Sequence, residues 1–152
     1  MSLLAGKAYD PATAVSKATT AALAMTAIDT TNLRVAFTAP ANGTALVRLQ
    51  GTLHGATTYP QILLGVLSGA TVLGRVAPAG LVNGVAAATT FLTVEAQFLV
   101  TGLTPGSAQT WDAAYGVETA VASTGLKYGG PNNTTVNDAF GRSSSRSGTS
   151  PE

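Results

Sequence analysis

The sequence predicts an all-β chain folded as an antiparallel β-sandwich of the jelly-roll kind, with an extended arm at each end. Three observations lead there. From about residue 22 onward apolar and polar residues alternate with a period of two, the signature of strands with one buried face. Clusters of Gly, Pro and Asn separate the alternating runs. No helical period recurs between them, which argues against a parallel α/β sheet. At 152 residues and with 45% hydrophobic residues, the chain suffices for one domain plus tails. The division expected is an N-terminal arm over 1–20, a sandwich over 21–128 and a polar C-terminal arm over 129–152.

The elements follow in order. Residues 1–20 are taken as an extended arm, with a first strand near 21–29. Asp10-Pro11 suits a helix start and the run to Met25 is rich in alanine, so a helix over 11–25 stays open as the alternative. Threonines at 13, 19, 20 and 26 weigh against it. Leu33, Val35 and Phe37 alternate with Arg34, Ala36 and Thr38, and Pro40-Ala41-Asn42-Gly43 then supplies turn chemistry. A hairpin is expected, whose returning strand buries Val47, Leu49 and Leu53 and exposes Arg48, Gln50, Thr52 and His54. Gly51 on the buried face suggests a bulge or a close backbone approach.

Gln61 to Leu67 is apolar on both parities, which suits a strand covered on two sides, by a second sheet or by a neighbouring subunit. Ser68-Gly69 turns it into a second hairpin with Thr71 to Ala77, and the Gly- and Ala-rich residues 78–88 read as a loop. Phe91 to Val100 points Leu92, Val94, Ala96, Phe98 and Val100 inward. After the turn at Gly102 to Ser107, Trp111, Ala113, Tyr115 and Val117 face inward on the way back, against Asp112, Ala114, Gly116 and Glu118. A short strand near 119–123 continues it. Beyond Gly129 the chain is polar, and its composition cannot build a core of its own, so order there requires a partner.

Composition excludes several functions. Eight basic against seven acidic side chains leave a net charge of +1, without the basic footprint of a nucleic-acid binder. There is no cysteine and a single histidine, His54, so thiolate metal sites, disulfides and two-histidine metal sites are ruled out. The first residues lack the basic and apolar regions of a secretory signal. No run of about 20 apolar residues is free of Pro, Gln, His or Asn, so a spanning helix is not expected. Charged residues make up only 10% of the chain, against about 25% in an ordinary soluble domain. A surface so poor in charge suggests burial against other subunits.

Catalytic constellations are weak. Gly65-Val66-Leu67-Ser68-Gly69 places its serine one position late for a nucleophile elbow. His54 with Asp112 would make a base and its orienting acid, but the parity of His54 puts it on a solvent face. Glu95 with Asp112 or Glu118 could form a carboxylate pair, yet these outward acids suit salt bridges with Arg48 or Arg75 better. Asn132 to Asp138 offers a calcium ligand set only one carboxylate strong. The N-x-T triplets at Asn42, Asn132 and Asn133 are expected by chance in a threonine-rich chain. No dinucleotide or Walker motif is present, and no cofactor is expected.

Three segments, Tyr9-Asp10-Pro11-Ala12-Thr13, Ala27 to Pro40 (AIDTTNLRVAFTAP), and Gly102-Leu103-Thr104-Pro105-Gly106 with Trp111-Asp112, resemble virion-associated proteins of tailed bacteriophages over roughly residues 8–128. The Leu-Thr-Pro-Gly-Ser turn is also similar to that of fibronectin type III modules, but Gln109 stands where those carry a tyrosine. The phage resemblance implies a non-enzymatic structural protein of a bacteriophage particle. Its most specific form is a head-surface, capsid-decorating jelly roll that trimerises in a tumour-necrosis-factor-like arrangement. It also implies assembly in the bacterial cytoplasm and a virion location, with the major capsid protein or another virion protein as partner, and neither nucleic acid nor membrane bound directly. Leu3, Leu4, Tyr9, Tyr128, Phe140, Arg142 and Arg146, in or beside the two arms, are the expected partner contacts. A tail or fibre component, or a carbohydrate- or receptor-binding module, is the alternative.

Overall fold

The structure, a computed structural model, describes residues 2–9, 15–19, 21–54, 62–77, 91–118, 121–128 and 143–145. They form eleven strands: β1 (Lys7–Tyr9), β2 (Val15–Thr19), β3 (Thr26–Ala27), β4 (Arg34–Thr38), β5 (Ala45–His54), β6 (Ile62–Ser68), β7 (Thr71–Val76), β8 (Phe91–Val100), β9 (Ala108–Val117), β10 (Val121–Tyr128) and β11 (Ser143–Ser145). There is no helix among the described residues. Every pairing is antiparallel. The all-β, antiparallel expectation therefore holds. The loop expected over 78–88 and the polar stretches 129–142 and 146–152 lie outside the described residues.

Two sheets divide the strands. In the first, β5 pairs along its whole length with β8, while its other edge meets β11 at Gln50 and β10 at Leu53 and His54; β1 and β2 extend this sheet beyond β11 and β10. In the second, β9 lies between β6 and an edge shared by β3 and β4, and β7 follows β6. Both sheets contribute to one apolar layer: Val94 and Ala96 from the first, Ile62, Leu64, Tyr115 and Val117 from the second. Full burial of an aliphatic side chain contributes about 1.5–3 kcal/mol, and Ile62, Val94 and Val117 are all essentially inaccessible to solvent.

Of the two reversals expected to be hairpins, only Ser68 to Thr71 closes one, between β6 and β7. The turn at 40–43 joins strands of different sheets, since β4 pairs with β9 and β5 with β8. The turn at 102–107 likewise carries the chain from β8 in one sheet to β9 in the other. Turn chemistry dictates that the chain reverses, but not whether the two arms become ladder partners or arch over a core. The two arches also hold each other. Ala39 N–H donates to Ser107 O at 2.8 Å, Gly106 N–H to Ala39 O at 2.9 Å and Leu103 N–H to Gly43 O at 3.0 Å.

Several expectations are corrected. The strand expected over 21–29 shrinks to Thr26–Ala27. Around it, Leu23 N–H reaches Val117 O and Ile28 N–H reaches Ala113 O, both at 2.8 Å, so the segment follows β9 with only a short ladder. Residues 1–20, expected as an extended arm, include β1 and β2, which pair with β11 and β10. The helix considered for 11–25 does not form at 15–19, where the chain is strand. Gly51 carries no bulge, because the β5–β8 register runs unbroken through Gly51 and Val94; the irregularity falls between Val66 and Leu67. In place of a short strand over 119–123, Val121–Tyr128 forms a strand of the opposite sheet.

The two-sided burial of β6 has a cause within the chain. Residues 24–25 lie on the outer face of the second sheet, against β6 and β9. A Cβ on Gly116 would sit 2.6 Å from Ala24 O and 2.8 Å from Met25 Sδ, and one on Gly65 3.0 Å from Met25 Cε. These glycines let the covering segment approach. β9 is buried on both parities, Asp112, Ala114 and Gly116 included, rather than on one as expected; residues 24–25 cover it at Gly116, and Arg34 reaches Asp112. No neighbouring subunit is needed to account for this face.

Candidate functional site

On one side the sandwich is open. The edge of β4 away from β9, and the edge of β5 over Ala45–Leu49 away from β8, have no ladder partner among the described residues. Between them lies a groove of about 490 Å³. Alternation decides its lining: Val35 and Phe37 on β4 and Val47 and Leu49 on β5 face the interior, with Trp111 on β9 at the floor. Leu46, Arg48, Gln97 and Leu99 continue the lining onto the outer face of the first sheet.

The floor is held in one geometry. Phe37 meets Trp111 edge to face, ring centroids 4.7 Å apart at 87°, an arrangement worth about 0.5–1.5 kcal/mol beyond the area it buries. Trp111 Nε1–H donates to Gln109 Oε1 at 3.1 Å, Gln109 Nε2–H to Ser107 Oγ at 2.8 Å and the Ser107 hydroxyl to Thr104 O at 2.6 Å. This relay ties the indole to the 102–107 arch. Gln109, which breaks the fibronectin pattern, thus has a structural task here.

Two ion pairs lie on the flanking strands. Arg34 grips Asp112 with two hydrogen bonds, Nε to Oδ1 at 2.7 Å and the terminal nitrogen to Oδ2 at 2.8 Å. Asp112 is buried and the Arg34 side chain is half exposed. The bidentate bond and the carboxylate charge hold the Arg34 guanidinium above its ordinary pKa. Arg48 pairs with Glu95 at 2.9 Å across β5 and β8, with the same effect on Arg48. Glu95 and Asp112, considered as a catalytic pair, thus stand on different sheets, each beside an arginine. Arg48 is one of the two partners, with Arg75, expected for these acids. Arg34, the partner of Asp112, was not among the expected ones; the register that sets Arg34 opposite Asp112 supplies it.

The remaining candidates scatter. Ser68 ends β6 at the hairpin, and the backbone of His54 pairs with Phe91 and Lys127. Asp112 is already engaged by Arg34. No three His, Asp or Glu side chains gather among the described residues, and no helix there is long and apolar enough to cross a membrane. Asn42 sits exposed in its arch, its Oδ1 accepting from Thr44 N–H at 3.1 Å. Asn132, Asn133 and Asp138 lie outside the described residues.

Among the expected partner contacts, Leu4 lines the groove and is 39% exposed, and Leu3 beside it is 46% exposed. Tyr9 is half-buried and packs against the core in β1. Tyr128 pairs through its backbone with Val15 and Leu53. Phe140, Arg142 and Arg146 lie outside the described residues. Phe37, Trp111 and Leu99 were not among the expected contacts, although the alternation of β4, β8 and β9 was legible; what was missing was the knowledge that β4 and β5 leave their facing edges open. Comparison with known families, characterised proteins and solved structures finds no match for this chain.

The geometry suits one kind of chemistry. Unpaired strand edges offer main-chain N–H and C=O groups, and an apolar trough between them takes alternate side chains of an extended segment.

Proposed function

We propose that this chain is a non-enzymatic structural protein of a bacteriophage particle, a jelly-roll subunit that decorates the head surface, trimerises and is fastened to the shell through its terminal segments. The observation that carries the reading is the concentration of exposed apolar side chains at the open groove. Leu4 and Leu99 line it, Leu3 adjoins Leu4, and Leu99 is 60% exposed. Such clusters on otherwise soluble proteins mark surfaces that are covered in use. A chain with so few charges supports the same reading, and the resemblance to virion-associated proteins supplies the particle. Under this reading the groove and the terminal segments meet neighbouring virion proteins, and nucleic acid and membrane are not contacted.

The test is physical association. Phage particles should be purified from a producing culture by density gradient and probed with antibody to this chain, both by blotting and by gold labelling in the electron microscope. The expected result is stoichiometric co-sedimentation with labels distributed over the head. Labels confined to the tail would transfer the protein to a tail or fibre role. Recovery entirely in the particle-free fraction would overturn the structural reading.

A further inference from the structure

We propose that the N-terminal segment Ser2–Ala5 is exchanged between copies of this chain, each copy seating it in the β4–β5 groove of the next. The inference concerns the purified chain and does not rest on the particle reading.

The placement of the segment is the first support. Ala8 lies level with Ser144, and Ser144 with Gln50, so β1 runs parallel to β5 with β11 between them. Because β11 ends at Ser145, the residues before Lys7 continue alongside the part of β5 that has no partner on that edge among the described residues. Ser2, Leu4 and Ala5 do line the same groove as Thr44–Leu49. Within one copy the segment reaches the groove without completing it: residues 2–6 make no ladder pairing, and Leu3 and Leu4 remain exposed.

Chemistry selects the occupant. The groove is mostly apolar, and the one charged side chain lining it among the described residues, Arg48, is already paired with Glu95. An uncharged Ser-Leu-Leu-Ala segment suits it, and a segment that fits a groove in its own chain fits the identical groove of another copy. The exposed side chains are complementary in the way exchange requires, Leu3 and Leu4 on the donated segment and Leu99 on the receiving face. Handing the segment to a neighbour lets it approach the open β5 edge from outside, adding main-chain hydrogen bonds there and covering these leucines. Passed around a closed ring, the same contact builds a cyclic oligomer.

The absence of cysteine from the sequence makes the test clean. Leu4→Cys and Thr44→Cys are introduced singly into chains carrying different tags, which are unfolded together, refolded and oxidised. The expected product is a disulfide-linked pair of unlike tags. A Leu4→Cys chain with a Glu118→Cys chain, whose cysteine lies at the far end of β9 from the 102–107 arch, should not cross-link. The double variant Leu4→Cys/Thr44→Cys should give interchain bridges on a non-reducing gel; bridges formed wholly within single chains would overturn the exchange. Light scattering of the unmodified chain provides a second measure. Its mass should be a multiple of 15.1 kDa and fall to that of one chain when Ser2–Ala5 are deleted. Identical masses with and without the segment would also overturn it.

Discussion

Gly43 is the position at which the two arches can be weighed. Replacing it with alanine has two costs. The first is conformational: φ is +64°, a left-handed region that costs an L-residue about 1–2 kcal/mol. Gly102 and Gly106, both at φ +76°, would suffer this cost as well, and a Cβ at either meets nothing within 4 Å. The second belongs to Gly43 alone. Its Cβ would lie 2.6 Å from the carbonyl oxygen of Leu103, so backbone must move, and the Leu103 N–H bond to Gly43 O is lost or stretched. Losing that bond costs about 1 kcal/mol and the displacement about 1–3 kcal/mol. Gly43→Ala should therefore destabilise by about 3–6 kcal/mol, against about 1–2 kcal/mol for Gly102→Ala or Gly106→Ala. Urea unfolding followed by fluorescence of Trp111, the single tryptophan and buried, measures all three in one series. If Gly43→Ala falls within about 0.5 kcal/mol of Gly106→Ala, the limit within which independent effects are distinguished, the arches do not bear on each other and the reasoning fails.

Other outcomes follow from the core and its charges. The Tyr115 hydroxyl is buried with no hydrogen-bond partner among the described residues, so Tyr115→Phe should be neutral or stabilise by up to about 1 kcal/mol; a loss of that size would reveal a partner for the hydroxyl. Burial pushes the Tyr115 pKa up to about 12 from an ordinary 10.0. The folded chain then keeps a proton that the unfolded chain gives up, so stability present below pH 10 is lost as pH rises toward 12. The loss reaches about 3 kcal/mol; it should be absent from Tyr115→Phe and so appear as the difference between wild type and that variant. Arg34→Ala leaves the buried Asp112 carboxylate unpaired and should destabilise clearly in urea, whereas Arg48→Ala, at an exposed pair, should change little; equal effects would contradict the difference in burial. Gly116→Val would drive a side chain into Ala24 O, and should lower the thermal midpoint more than Ala36→Val on the exposed face of β4.

Much of the strand content was legible because period two is a property of neighbouring residues. Val35 and Phe37 against Arg34, Ala36 and Thr38, or Val94 and Ala96 against Glu95 and Gln97, announce a buried face wherever the strand is placed. The β6–β7 hairpin was legible for the same local reason. For the candidate site, Leu3 and Leu4 were among the expected partner contacts, whereas Trp111 and Phe37 read as ordinary core.

Sequence alone determined that this chain is built of strands, which faces of β4, β5 and β8 are apolar, and that charge is scarce. Tertiary structure decided which strands are partners. The turns at 40–43 and 102–107 became arches between sheets, residues 24–25 came to lie on the outer face of the second sheet at Gly65 and Gly116, and β4 and β5 were left facing each other across an open groove. The reason is physical: a strand's hydrogen-bonding edges are chemically alike in every residue except proline, so sequence marks the faces of a strand but leaves its edges unmarked. Edges acquire partners only when all the faces have been packed together.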